Sequence, residues 1–140
     1  MAVKNGAVKD SPEYATMRSP LGRVRGLGSA KGGTHHWWMQ RVTSVALLPL
    51  TIWFVFAMIG LAGASYVETL LWIARPLNAV LLLALIGLTF HHMASGLQVV
   101  LEDYVRPEGR RILAVWAVKG ICALLALASA FAVLKIAVAS

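Results

Sequence analysis

Three apolar stretches, each about as long as a bilayer is thick, constrain the fold of this chain more than any other feature. They cover residues 42–62, 77–101 and 112–138, and short polar segments separate them. A helix of about 20 apolar residues crosses the hydrocarbon core of a membrane. Only 14% of the 140 residues are charged, whereas about 25% is usual for a soluble domain. The sequence therefore predicts an all-α membrane protein with three transmembrane helices.

The basic residues lie mainly at the ends of these stretches, so the net charge of +7 does not indicate a nucleic-acid partner. Lys and Arg are frequent in the N-terminal segment and in the polar connection at 102–111, whereas the loop at 63–76 has only Arg75. Because Lys and Arg are enriched in cytoplasmic segments, we expect the N-terminus inside and the C-terminus outside. Lys119 and Lys135, within the third stretch, are expected to snorkel towards opposite membrane surfaces.

The chain is predicted to have two parts. Residues 1–34 form a basic cytoplasmic tail, and residues 35–140 form a three-helix transmembrane domain that anchors the chain in the lipid bilayer. No apolar run follows the initial methionine, so we do not expect a secretory signal peptide. Asp10 and Glu13 are unusual in a mitochondrial presequence. We therefore expect the bacterial cytoplasmic (inner) membrane as the location, ahead of the mitochondrial inner membrane.

Two histidines, His91 and His92, lie inside the second stretch. An ionisable side chain far from the ends of a membrane helix is costly and indicates function. It can bond a neighbouring helix, relay protons or ligate a metal. No cluster of His, Glu and Cys suggests a closed zinc site, whereas one histidine from each of two chains suits a bis-histidine haem. Gly96, one turn after His92 on the same face, leaves room for a flat macrocycle. From these residues alone, a histidine bonded to a neighbouring helix fits equally well.

Asp103 and Tyr104 follow at the membrane surface, about 18 Å beyond His92 along a helix axis. A phenol O–H can donate to a quinone carbonyl oxygen, and a carboxylate can relay protons. The pair is therefore a candidate quinone site, although Asp and Tyr are also ordinary residues at a membrane interface. Arg41, which precedes the first stretch, could pair with a haem propionate or serve only as a topology charge.

The stretch that starts at His92 closely resembles the H-x-x-x-G-x-Q-x-x-x-x-D-Y-[VI] signature of the succinate dehydrogenase hydrophobic membrane anchor subunit, the smaller D-type chain. The spacing matches His92, and not His91, to the haem-ligand position. Residues 40–43, Gln-Arg-Val-Thr, look like the Arg-x-Thr entry to the first helix of that family. His35 matches a histidine found shortly before that arginine. The resemblance covers about residues 35–138 and does not include the tail.

The resemblance implies a complex of a flavoprotein, an iron–sulfur subunit and two three-helix membrane anchors, of which this chain is one. Electrons from succinate would pass through FAD and iron–sulfur clusters in the partner subunits to ubiquinone. Haem b would lie between the anchors, with one axial histidine from each. In this chain the resemblance assigns the haem iron to His92 and a ubiquinone carbonyl to Tyr104, with Asp103 supporting that site. It places Arg41 in the propionate and quinone environment, with His35 beside it.

The first hypothesis is therefore a membrane anchor of succinate:ubiquinone oxidoreductase, respiratory complex II. Such a chain performs no complete reaction alone and pairs with a second, cytochrome b-type anchor subunit. A quinol:fumarate reductase anchor is an alternative in the same class, because the direction of reaction depends on the quinone and the partners. A purely structural, haem-free anchor is another alternative, in which His92 only bonds a neighbouring helix. A small transporter or signalling protein is disfavoured, because the spans lack a polar face.

Overall fold

The computed structural model describes Leu21 and residues 31–139 of the chain. Most of this part is helical, in four helices: α1 (Lys31–Gly60), α2 (Tyr66–Ala74), α3 (Pro76–Tyr104) and α4 (Glu108–Ala139). Three of them, α1 from Gly33 onwards, α3 and α4, are long and apolar enough to cross a membrane. The prediction of an all-α protein with three transmembrane helices is thereby confirmed.

The long helices extend beyond the apolar stretches, because the polar and aromatic residues that flank the stretches continue the helices. α1 already includes residues 31–34, which the sequence places in the tail; the rest of that tail, Leu21 excepted, lies outside the described residues. The connection expected at 102–111 shrinks to residues 105–107. Pro107 limits α3, since a residue that precedes proline disfavours helical backbone. The backbone N–H of Val105 closes the last turn of α3 on the carbonyl of residue 101.

The expectation of a plain loop at 63–76 is wrong, because this segment contains the short helix α2. Ser65 caps the helix: its Oγ accepts the backbone N–H of Glu68 at 3.3 Å. In return, the Glu68 carboxylate accepts the backbone N–H of Ser65 at 2.7 Å. This is the capping box that a Ser-x-x-Glu pattern forms at a helix start. Trp72 of α2 stacks on Trp53 of α1 with ring centroids 5.8 Å apart, which ties the short helix to the bundle.

The buried core of the described bundle is small. Ala79 and Leu82 of α3 pack with Val133 of α4, and Trp53 and Phe54 of α1 pack against this cluster. Most large apolar side chains instead face outwards, among them Phe56, Leu124, Leu127 and Phe131. Soluble monomers seldom expose apolar patches of this extent. The exposed apolar surface therefore agrees with lipid or protein neighbours around the three spans.

The capping box makes the start of α2 sensitive to pH. The backbone N–H and then the hydroxyl of Ser65, both bonded to the carboxylate, lower the pKa of Glu68 below its ordinary value of 4.5. The ionised carboxylate therefore stabilises the helix above pH 4.5, and this contribution declines as the pH falls below 4.5 towards the folded-state pKa. We expect amide hydrogen exchange in the first turn of α2, corrected for intrinsic rates, to accelerate over that range. Glu68→Gln should remove this pH dependence, and an unchanged profile in that variant would contradict the assignment.

Candidate functional site

His92 of α3 lies against two polar side chains of α1. Thr43 Oγ1 is 3.0 Å from His92 Nδ1, and Gln40 Nε2 is 3.3 Å from His92 Nε2. The same amide nitrogen is 3.5 Å from the backbone oxygen of His92. Thr43 is buried, with only 3% of its surface exposed. These three side chains form a polar group between two apolar helices, which we call the His92 cluster.

The contacts of the His92 cluster favour one tautomer of the imidazole. The Gln40 amide nitrogen faces two atoms of His92 and can only donate, which corresponds to the tautomer in which Nε2 accepts and Nδ1 carries the proton. Thr43 agrees with this assignment, because its hydroxyl donates to the backbone oxygen of Met39 at 2.9 Å and can accept the Nδ1 proton. Metal-ligating histidines use the same arrangement: one ring N–H is held by a neighbouring group, and the other nitrogen donates an electron pair.

The chemistry of the His92 cluster suits a haem ligand, provided that the Gln40 amide moves away from His92 Nε2. The amide of Gln40 uses the Nε2 lone pair that an iron ion would need. On its other side, Gln40 Oε1 is buried without a hydrogen-bond partner in the described part of the chain, so the amide is held through its nitrogen alone. Among the described residues, no group of three or more His, Cys, Asp or Glu side chains could hold a metal ion. Within the His92 cluster, only the imidazole could supply a nitrogen ligand to a haem iron.

Gly96 has a different neighbour from the one expected. The sequence suggests that its missing side chain makes room for a macrocycle, but a Cβ at Gly96 would lie 3.3 Å from Gln40 Nε2. In this chain alone, the glycine therefore makes room for an amide of α1. The sequence does not predict the contacts of Gln40 and Thr43 with His92. The sequence pattern that could indicate these contacts is a pair of polar residues three positions apart. They share one helix face at the point where α1 becomes apolar.

Arg41 and His35 lie outside the His92 cluster. Arg41 is exposed, and its guanidinium carbon lies 4.9 Å from the ring centroid of Trp37, a cation–π contact. His35 is exposed as well. Within the described residues, neither side chain hydrogen-bonds to His92, so their roles near a haem propionate stay predictions.

Asp103 and Tyr104 lie in the last turn of α3 and are exposed, Tyr104 with 82% of its surface accessible. The neighbouring Glu102 accepts a hydrogen bond from Gln98 at 2.7 Å. Asp103 and Tyr104, in contrast, have no side-chain hydrogen bond within the part of the chain that the structure describes. Their polar atoms are therefore available to a ligand or a partner at this end of the bundle. α3 therefore carries both candidate sites: His92 lies inside the bundle, and the Asp–Tyr pair lies at the end of the helix.

Thr43→Val should destabilise the chain, because valine keeps the shape of threonine but cannot accept the Nδ1 proton of His92. Interhelical hydrogen bonds in membranes contribute about 0.6 kcal/mol on average and up to about 1.7 kcal/mol, and we expect about 1 kcal/mol for this buried one. Unfolding of the full chain in mixed micelles, followed by circular dichroism, measures the change. Thr51→Val is the matched control, because Thr51 lies exposed on the same helix. Equal effects of the two substitutions would contradict a stabilising bond between Thr43 and His92.

Comparisons with known proteins agree on one family. The family model described as "Succinate dehydrogenase/Fumarate reductase transmembrane subunit" matches residues 15–128. The "Succinate dehydrogenase hydrophobic membrane anchor subunit" of Rickettsia bellii is 32% identical over 103 residues, which are 73% of this chain and 82% of that protein. The protein of the same name from Paracoccus denitrificans is 29% identical over 100 residues, 71% of this chain and 78% of that protein. No solved structure gives a significant match.

Proposed function

Since the chain belongs to the succinate dehydrogenase/fumarate reductase transmembrane subunit family, we propose that it is the hydrophobic membrane anchor subunit of a succinate:ubiquinone oxidoreductase, respiratory complex II. It acts as a non-catalytic subunit of that enzyme. Three long apolar helices with largely exposed apolar surfaces support this role, because such surfaces agree with lipid or protein neighbours. Relatives from Rickettsia and Paracoccus support a bacterial membrane, and we propose the cytoplasmic membrane with the N-terminus inside.

His92 is proposed as one axial ligand of haem b, and the second anchor subunit supplies the other. The observation that carries this proposal is the hydrogen bonding of His92. Thr43 holds Nδ1, and the Nε2 lone pair, which now accepts from Gln40, would bind the iron. Thr43 thereby fixes the orientation of the ring, and Gln40 has to leave Nε2. When bound, the haem supplies a one-electron redox centre inside the membrane.

Arg41 and His35 are proposed to face the haem propionates, with Arg41 also close to the quinone. Arg41 directly follows Gln40, whose side chain touches His92, so its backbone lies at the level of the His92 cluster. A guanidinium matches a carboxylate with two parallel hydrogen bonds. The cation–π contact with Trp37 holds the guanidinium one turn before Arg41 on α1. His35 is the weaker of the two candidates, because no contact described here ties it to the site.

Tyr104 is proposed to donate its phenolic hydrogen to a ubiquinone carbonyl oxygen, and Asp103 to support that site by holding or relaying a proton. The exposure of both side chains at the end of α3 supports this role. The basic connection that follows makes this end cytoplasmic by the positive-inside rule. We propose that the iron–sulfur subunit docks there. It would deliver the electrons that the FAD of the flavoprotein subunit takes from succinate.

A purely structural, haem-free anchor is the second candidate, and the Gln40 amide at His92 Nε2 favours it. In that case the His92 cluster only joins α1 to α3. The family description also names fumarate reductase. The same residues would serve that enzyme, with electrons running from the quinol to fumarate.

Purification of the complex through an affinity tag on this chain separates the haem-bearing anchor from the purely structural one. We expect flavin, iron–sulfur clusters and b-type haem to co-purify, with flavin and haem in equal amounts. Flavin without haem would leave the structural anchor as the function. A chain that purifies from membranes without any flavin would overturn the proposed function.

A further inference from the structure

The single hydroxyl group of Thr43 makes contacts on both of its sides. Its Oγ1 lies 2.9 Å from the backbone oxygen of Met39, 3.1 Å from that of Gln40 and 3.0 Å from His92 Nδ1. A hydroxyl has one hydrogen and two lone pairs. Threonine inside a helix commonly gives its hydrogen to the carbonyl four residues earlier, which here belongs to Met39. Thr43 then faces His92 with a lone pair, as a hydrogen-bond acceptor.

An acceptor at Nδ1 is what an iron-bound histidine requires. A neutral imidazole that gives the Nε2 lone pair to iron carries its proton on Nδ1. Within the described residues, Thr43 is the only hydrogen-bond partner of His92 Nδ1. Thr43 is also buried, so bulk water does not compete for this bond. The hydrogen bonding of Nδ1 therefore depends on one side chain of α1.

The hydroxyl of Thr43 also connects the imidazole to the backbone of α1. The Nδ1–H group, the Oγ1–H group and the Met39 carbonyl form a short series of hydrogen bonds, and the bonds of such a series polarise one another. A hydrogen bond accepted from Nδ1 makes the ligating nitrogen of a histidine more basic. A more basic ligand stabilises ferric iron more than ferrous iron, because the ferric ion has the higher charge. Hydrogen bonding around the axial ligand is one way in which a protein sets a haem potential.

We propose that Thr43 is a positioning residue that lowers the reduction potential of the haem through His92. This inference rests on the proposed role of His92 as an axial ligand, and it gives a redox function to a residue of α1 that does not itself ligate iron. A threonine that only joins α1 to α3 would contribute to stability but would leave the potential unchanged. The potential therefore separates the two roles of Thr43.

The test is a redox titration of the haem in the purified complex, followed through the absorption of the reduced haem. At the midpoint potential of the wild type, Thr43→Val should raise the ratio of reduced to oxidised haem about fivefold, the size of one ordinary net hydrogen bond. For a one-electron couple this corresponds to a rise of about 40 mV. Thr43→Ala also removes the acceptor and should shift the ratio in the same direction. Thr43→Ser keeps the hydroxyl and should keep the wild-type ratio.

Ser44→Ala is the matched control, because it removes a hydroxyl from the next residue, whose Oγ donates to the backbone oxygen of Gln40 at 2.7 Å. Ser44 makes no hydrogen bond to His92 within the described residues, so the ratio should not change. A wild-type ratio in both Thr43→Val and Thr43→Ala would overturn the inference but leave His92 as the ligand. A shift in Thr43→Ser or Ser44→Ala as large as that in Thr43→Val would overturn it in the same way. A wild-type complex without haem would overturn it together with the proposed role of His92.

Discussion

His92→Ala should remove the b-type haem from the purified complex, whereas His91→Ala should leave it in place. Iron needs an axial nitrogen on each face in a bis-histidine site, and alanine provides none. The two histidines are adjacent in sequence, but they face different surroundings. His92 Nδ1 bonds Thr43 between α1 and α3, whereas His91 is exposed on α3.

The ratio of haem to flavin in the two variant complexes measures this difference. His91→Ala is a matched control, because it removes the same side chain from the next position of the same helix. Flavin should remain in both variants, because a soluble subunit holds the flavin independently of the haem. A normal haem-to-flavin ratio in His92→Ala would remove His92 from the ligand set. If only His91→Ala loses haem, the iron lies on the His91 face of α3, and the proposal of His92 as the ligand is wrong.

Tyr104→Phe should lower succinate-dependent ubiquinone reduction roughly ten- to a hundredfold, the effect of one lost hydrogen bond to a group that gains charge. The substitution removes only the phenolic oxygen, and Tyr104 makes no side-chain hydrogen bond within the described chain. Folding should therefore not change. Haem content should also stay normal, because Tyr104 lies about 18 Å from His92 along the helix axis.

Tyr66→Phe is the control for this substitution, because Tyr66 is also highly exposed but starts α2 at the other end of the bundle. Ubiquinone reduction should stay normal in that variant. Reduction of a soluble dye that takes electrons before the quinone should stay normal in both. Full ubiquinone reduction in Tyr104→Phe would remove Tyr104 from the quinone site.

The number and approximate position of the spans could be predicted from sequence, because length and hydropathy alone determine which helices can cross a bilayer. The ends of the helices could not, because hydropathy marks the apolar core and not the helix. Residues 31–41 and 102–104 are mostly polar or aromatic and still helical. The helix α2 could have been predicted from the capping box of Ser65 and Glu68, because this is a local sequence pattern that hydropathy does not show.

For the candidate site, hydropathy singles out the pair His91 and His92, because an imidazole in the middle of an apolar span stands out. Only the resemblance to the family signature favours His92 over His91. The neighbours of His92 depend on how α1 and α3 are rotated and shifted relative to each other, and no spacing within one helix determines that. Thr43 and Gln40 therefore emerge only from the structure. Gly96 illustrates the same limit. The sequence places this small residue on the face of His92, but the side chain that lies against it is Gln40.

Near-infrared magnetic circular dichroism of the oxidised complex, for wild type and His92→Met, tests the central claim most directly, because the charge-transfer band identifies the axial ligands of a low-spin haem. A bis-histidine band in the wild type should give way to a histidine–methionine band in the variant. A methionine ligand should also raise the reduction potential. If His92→Met keeps the bis-histidine band of the wild type, His92 does not ligate the iron, and the His92 cluster serves only to join two helices.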